Sequence, residues 1–287
     1  MPGLTTLQGG PETTRHRILV AGTREVDSGK TTTVKAILEI LCERGERPCG
    51  FKPRAGNTLW YDYDIVHEAL SQGRLYGKDS TVLREASATD LPEEALSPVH
   101  RLHGMPLDPG PMDITGRNGF VMDRVSLWDK DHEQIVVLNE NRPQDGEAGS
   151  LVDRIVSVSD KVIRVGTVNE LNSAISRYYS RAVRTAHNAV RGQHDTIVYE
   201  SYADVALPWK GIRDLDGVFL VGPGRIDVHE PDRYLTAVRM RGGLLKEGST
   251  RGIRDLLDPA ETLRLPPFRS AELSARMKSI LRSHLQA

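Results

Sequence analysis

The feature that most constrains this chain is a strand, a glycine loop and a helix in immediate succession near the N-terminus. Arg17 to Ala21 is an apolar run that ends at Gly22, and Gly29-Lys30-Thr31-Thr32 then opens a segment in which Val34, Ile37, Leu38 and Leu41 recur with helical spacing. A glycine-rich turn between a strand and a helix exposes several backbone N–H groups, and they converge at the positive end of the helix. That arrangement suits phosphate oxygens. Gly29 permits close backbone approach, Lys30 supplies a point charge, and the Thr31 hydroxyl reaches a cation that bridges phosphates. The frequent spacing G-x-x-x-x-G-K-[ST] is stretched here, since Arg24 stands where the first glycine would fall and the glycine before it is Gly22. A chance Gly-Lys-Thr in an ordinary turn lacks the flanking apolar strand and amphipathic helix, and both are present.

Downstream, the pattern continues to alternate. Arg47 to Lys52 reads as a second strand, Pro53 to Asn57 as loop, and Leu59 to Ser71 as helix. Ser150 to Val158 reads as a helix, Asp160 to Val165 as a strand, and Val168 to Val190 as a long helix. Asp195 to Tyr199 is an apolar strand that ends in Glu200, and Gly217 to Val221 is another that ends in Gly222-Pro-Gly224. Helices are expected at Pro231 to Met240, Arg251 to Leu257 and Ala271 to Leu285. Strands alternating with helices predict an α/β fold, a mainly parallel sheet with helices on both faces. The stretch from about 73 to 149 interrupts it. It is rich in Pro, Gly and Asp and contains two strand-like runs, Gly119 to Trp128 and His132 to Asn139, which read as an inserted hairpin within one domain. Residues 1–14 read as a loose tail, and 15–287 as a single domain.

Bulk properties narrow the function. With 38 basic and 39 acidic side chains the formal net charge is -1, which argues against general affinity for nucleic acid or an anionic membrane. No stretch approaches the ~20 apolar residues of a membrane span. The N-terminus lacks an apolar signal core, so a cytoplasmic location is expected. Cys42 and Cys49 are too few for a zinc cluster or a disulfide framework.

Three segments are placed to meet the loop at the carboxyl ends of parallel strands, where ligands bind in such sheets. They are Gly50-Phe-Lys-Pro-Arg-Ala-Gly-Asn57, Trp60-Tyr-Asp-Tyr-Asp64 and Tyr199-Glu-Ser-Tyr-Ala-Asp204. Taken with the loop, this set resembles dethiobiotin synthetase and its relatives, the ATP-dependent cobyrinic acid amide synthases. The shared order is a long P-loop beginning Gly-Thr, a Lys-Pro before a glycine loop, an acidic residue, and a strand ending in Glu. It is also similar to archaeal P-loop ATPases of that superfamily. The resemblance covers 17–64 and 195–224. It implies a P-loop NTPase fold with ATP and Mg²⁺ as cofactors. Gly22, Thr23, Arg24, Asp27, Ser28, Gly29, Lys30, Thr31 and Thr32 would line the nucleotide. Thr31, Asp64 (with Asp62 as the alternative) and Glu200 would hold the metal. Lys30, Lys52 and Glu200 would be catalytic, with Lys52 beside the acceptor and the transferred phosphoryl group. The chain departs from the pattern in a loop one residue longer and in Ser-Tyr-Ala after Glu200, where dethiobiotin synthetase has a glycine-rich turn. These departures leave the acceptor unidentified.

The implied activity is ATP-dependent phosphoryl transfer to a small acceptor, as a carboxylate-activating ligase or a kinase. The alternative is a nucleotide-dependent switch without a small-molecule acceptor. Switch ATPases of this superfamily carry a second lysine early in the loop, and Glu25 occupies that position here, beside Arg24. No guanine-reading Asn/Thr-Lys-x-Asp run is present, which favours ATP over GTP. Relatives of dethiobiotin synthetase are dimers, and the helix over Val168 to Val190 would serve either a homodimer interface or the core. His100 and His103 have a spacing that suits two metal ligands but lack an evident third. Trp60, Tyr61 and Tyr63 would stack on a planar substrate or pack the insertion onto the sheet. Gly222-Pro-Gly224 would approach the nucleotide base.

Overall fold

The structure, a computed structural model, describes residues 16–24, 28–104, 119–129, 131–142, 146–241, 248–265, 267 and 270–285. The expected tail over 1–14 and the loop residue Asp27 lie outside these. In chain order the elements are β1 (Arg17–Gly22), α1 (Lys30–Glu43), β2 (Pro48–Phe51), β3 (Arg54–Thr58), α2 (Tyr63–Ser71), α3 (Lys78–Ser87), α4 (Glu93–Leu96), β4 (Val99–His103), β5 (Phe120–Trp128) and β6 (His132–Asn139). They continue with α5 (Gly146–Val158), β7 (Lys161–Val165), α6 (Val168–Gln193), β8 (Thr196–Glu200), β9 (Gly217–Gly222), β10 (Arg225–His229), α7 (Pro231–Arg241), α8 (Thr250–Arg254), β11 (Glu261–Arg264) and α9 (Ser270–Leu281).

The class is α/β, but the strands form two sheets. The first has the order β11-β10-β9-β1-β8-β2. Its β9, β1, β8 and β2 run parallel, and β10 and β11 are added antiparallel. The second has the order β3-β4-β5-β6-β7, in which only β5 runs against the others. The expected hairpin is present as β5 and β6, but it is the middle of this second sheet, not an appendage to the first.

The reason is written in β6. Ile135 and Val137 face one core and Val136 and Leu138 face another, so the strand is apolar on both sides. A strand of that kind must be covered on both faces. On one side α2 and α5 supply Val66, Leu70, Val152 and Ile155. On the other, α6 supplies Tyr178, Tyr179, Ala182 and Val183 to a core that is continuous with β1, β8 and β9 of the first sheet. Helix α6 therefore joins the two sheets. It starts with a capping box, in which the Thr167 hydroxyl accepts from the Glu170 N–H and the Glu170 carboxylate accepts from Thr167 N–H.

Four strands escaped the sequence pattern, β3, β4, β10 and β11. Over Arg54 to Thr58 the chain reads as loop, yet it forms the edge strand β3, paired in parallel with β4. Gly222-Pro-Gly224 is the turn of the β9–β10 hairpin, with Gly224 at φ 74° where a side chain would be strained. Among the described residues, no helix is long and apolar enough to cross a membrane.

A buried arginine fastens the second sheet to the segments around the site. Arg124, on β5, is fully buried and donates to the Leu75, Ser97 and Pro98 carbonyls and to Ser126 Oγ. Burial pushes its guanidinium down to about 10, so it stays charged at neutral pH. An Arg124→Met variant would take the guanidinium donor from the buried Leu75 and Ser97 carbonyls, while Pro98 O would keep the Ser126 N–H at 2.8 Å. It should lose about 3 kcal/mol of stability, read as a lower urea midpoint with an unchanged m-value.

Candidate functional site

The glycine loop begins where β1 stops. Gly22 leaves no room for a side chain, since a Cβ there would lie 2.6 Å from Ser28 Oγ and 2.7 Å from Lys30 Nζ. Its carbonyl accepts from the buried Thr250 hydroxyl at 2.6 Å. The Thr23 N–H donates to Val221 O at 2.9 Å, which ties the loop to the end of β9. Gly29 is the N-cap of α1 and takes φ 87°, a left-handed conformation that glycine adopts without strain. Lys30 then folds back over the loop. Its ammonium donates to Ala203 O at 2.8 Å, Ser28 Oγ at 3.2 Å and Arg24 O at 3.4 Å. The Arg24 residue itself is exposed, and Thr32 is half-buried on α1.

One residue on, Thr31 Oγ1 lies 2.9 Å from Glu200 Oε1 and 3.1 Å from Asp79 Oδ1, so its single hydrogen serves one carboxylate at a time. Lys52, just past the end of β2, donates to Glu200 Oε1 at 2.8 Å and to the Asp79 carboxylate. Its backbone N–H donates to Leu96 O at 2.9 Å, which anchors the turn into β3 against α4. Thr31, Lys52, Asp79 and Glu200 thus arrive from α1, the β2–β3 turn, α3 and β8, and they meet at the carboxyl ends of β2 and β8. Lys30 and Lys52 against Asp79 and Glu200 sum to zero charge.

Burial shapes each group. Glu200 is 0% exposed, and desolvation raises its carboxyl above the usual range despite the ammonium of Lys52. Only one of its oxygens is engaged, and Oε2 is buried with no partner. Burial alone would lower Lys52, but Glu200 and Asp79 outweigh it and hold the ammonium above its ordinary value. Lys30 is lowered, first by burial and then by Lys52. Asp79 is lowered because Lys52 and the Thr31 hydroxyl outweigh its burial. Lys52 is therefore a permanent cation at neutral pH, and Glu200 is the group closest to accepting a proton.

Of the residues expected from sequence, the structure brings Lys30, Thr31, Lys52 and Glu200 together. Asp64 stands exposed in the first turn of α2, and the described contacts of Thr31, Lys52 and Glu200 do not include it. Asp62 accepts from the Thr58 N–H at 2.8 Å and closes a turn. The carboxylate that joins Thr31 and Lys52 is Asp79, which sequence reasoning passed over. Its setting, Gly77-Lys-Asp-Ser80 at the start of a helix, reads as an ordinary acidic first turn. Asp204 is a turn residue, its carbonyl taking the Thr250 N–H at 2.7 Å. Trp60, Tyr61 and Tyr63 are exposed instead of packing onto a sheet, with the Tyr63 hydroxyl donating to Glu147. Among the described residues no group of three or more His, Cys, Asp or Glu side chains is placed to hold a metal, so His100 and His103 form no such cluster.

A buried ion pair stripped of one member leaves an uncompensated charge. Lys52→Met should therefore cost about 3–5 kcal/mol at pH 8. Glu200 is raised in the fold relative to the unfolded chain, so the folded variant binds a proton that the unfolded chain releases. The penalty is full above the raised value and shrinks as pH falls toward the ordinary carboxylate range. Denaturation midpoints at pH 8 and pH 5 check this, and an equal loss at both would show that Glu200 stays ionised without the lysine.

No protein-family model matches the chain, and no curated protein matches it at a significant level.

Proposed function

We propose that this chain is a P-loop NTPase, similar in its nucleotide site to dethiobiotin synthetase, that binds Mg·ATP and transfers the γ-phosphoryl group to a small acceptor, in a ligase-like or kinase-like reaction. The observation that carries the reading is the convergence of Thr31, Asp79, Glu200 and Lys52 one residue beyond the loop lysine. An α/β core in which β1 ends in a glycine turn at the start of α1 supports it.

The residues fit a hard divalent cation. A hydroxyl and two carboxylates, one with a buried oxygen lacking any partner, are oxygen donors of the kind Mg²⁺ takes alongside phosphate and water. Thr31, Asp79 and Glu200 would hold it, and Mg²⁺ would neutralise charge on the β- and γ-phosphates when bound. The amides at the start of α1 would receive the phosphates, and Lys30 would have to leave Ala203 O and Ser28 Oγ to reach them. Lys52 stays charged, so it stabilises negative charge on the transferred phosphoryl and does not act as a base. Glu200, held by Thr31 and Lys52 at the end of β8, would orient the nucleophile from its place beside the cation.

A ligand that binds only the native state stabilises it, by about 2.7 kcal/mol at a hundredfold excess over Kd. ATP with Mg²⁺ should raise the melting temperature of the wild type more than GTP does, and ADP release should jump in one of several pools of small carboxylates or amines. Lys30→Ala should stay folded and lose the stabilisation; normal binding in that variant sinks the assignment. Glu200→Gln should keep binding and lose turnover by at least ~10²-fold. Stabilisation by ATP with slow turnover indifferent to every pool would favour the nucleotide switch.

A further inference from the structure

Against the first turn of α3 lies a pair of buried polar side chains that the site described above does not use. Asn57 on β3 and His100 on β4 meet across the two strands, with His100 Nε2 2.7 Å from Asn57 Oδ1. The amide oxygen only accepts, so with the amide oriented this way the ring donates and Nε2 carries the proton. His100 is fully buried, and burial together with the Arg124 guanidinium and Lys52 holds it well below its ordinary value. The pair is neutral and buried.

The backbone that rests on it belongs to Gly77. A Cβ on Gly77 would lie 2.6 Å from Asn57 Oδ1 and 3.1 Å from His100 Cε1. Its φ of -114° is one that any residue adopts, so glycine is needed here for close approach and not for conformation. Gly77 is the N-cap of α3, and the Ser80 hydroxyl latches the turn by donating to Gly77 O at 2.8 Å. Two residues after Gly77 comes Asp79, the carboxylate shared by Thr31 and Lys52. The pair is thus a floor under the one helical turn that presents Asp79.

We propose that Asn57 and His100 are positioning residues: by fixing the height of the α3 N-terminus they aim Asp79 at Thr31, and so set the affinity of the site for its divalent cation. The inference rests on the Mg·nucleotide reading above. Groups behind a metal ligand orient it, and their removal typically weakens metal affinity by ~10–100-fold. Leucine at either position fills similar space and abolishes the hydrogen bond. Glutamine at position 100 places an amide nitrogen where the ring Nε2 was.

The test measures ADP affinity in EDTA, ADP affinity with Mg²⁺, and the half-saturating Mg²⁺ concentration, in the wild type and in His100→Leu, Asn57→Leu, His100→Gln and Gly77→Ala. The two leucine variants and Gly77→Ala should keep metal-free ADP affinity and need ~10-fold more Mg²⁺, while His100→Gln should recover most of the loss. Nitrogen-15 spectra of the nucleotide-free wild type should show His100 as the Nε2–H tautomer. An unchanged Mg²⁺ requirement in a folded His100→Leu protein overturns the proposal, as does an equal loss of metal-free and metal-bound affinity. If the leucine variants fail to fold, Gly77→Ala decides by the same two measurements. If the wild type binds no nucleotide, the functional reading fails by itself. Amide hydrogen exchange at Asp79 and Ser80 then tests the pair, since His100→Leu should accelerate it and unaltered exchange would overturn the positioning role.

Discussion

A lysine ammonium taken out of water needs compensation, and for Lys52 it comes from two carboxylates on separate elements. Glu200 arrives at the end of β8 and Asp79 in the first turn of α3, and Lys52 itself follows β2. The three hold one another in place. Without the lysine, a fully buried carboxylate would stand against a half-exposed one; without the carboxylates, burial would weaken the ammonium's hold on its proton. The junction where the first sheet passes into the second through Lys52 and Pro53 is therefore pinned by charge.

Packing supplies what the charges alone cannot. β2 and α3 approach closely because Gly50 has no side chain; a Cβ there would lie 2.8 Å from Leu83 Cδ2. That contact places α3 over the end of β2, and Gly77 settles the first turn of the same helix against Asn57 and His100. On the far side, Arg124 draws Leu75, Ser97 and Pro98 onto β5. The second sheet is in this sense a scaffold behind the site: β3 and β4 carry the polar floor, β5 carries the clamp, and α6 joins the sheet to the core around β1.

The loop after β8 couples to the glycine loop after β1 from the other direction. Ala203, at φ 45°, offers its carbonyl to Lys30, and the next residue, Asp204, accepts from Thr250, whose hydroxyl reaches back to Gly22. Lys30 is thus held by two backbone carbonyls and one hydroxyl, none of them charged. A residue in the left-handed region without the freedom of glycine stores ~1 kcal/mol or more of strain, and here it does so at the carbonyl that holds the lysine.

Local patterns determined much of this protein. The apolar run into Gly22, the helical spacing after Gly29, the β5 and β6 runs, the long α6 pattern and the strand ending in Glu200 all follow from side-chain periodicity and turn chemistry, which neighbours along the chain decide. The proximity of Lys30, Thr31, Lys52 and Glu200 follows too, because parallel strands bring their carboxyl ends to one edge. Tertiary structure decided the rest. Whether Ile135 to Leu138 is one face of a hairpin or part of a second sheet depends on what covers it, and of the covering helices α2 and α6 lie far away in sequence. Arg54 to Thr58 becomes a strand only because β4 is there to pair with it. Asp79 and Asp64 are both acids in the first turn of a helix, alike in their local sequence. What separates them is that α3, and not α2, is packed against β2 at Gly50 and against Asn57 and His100 at Gly77, and no periodicity encodes a contact between glycines and side chains tens of residues away.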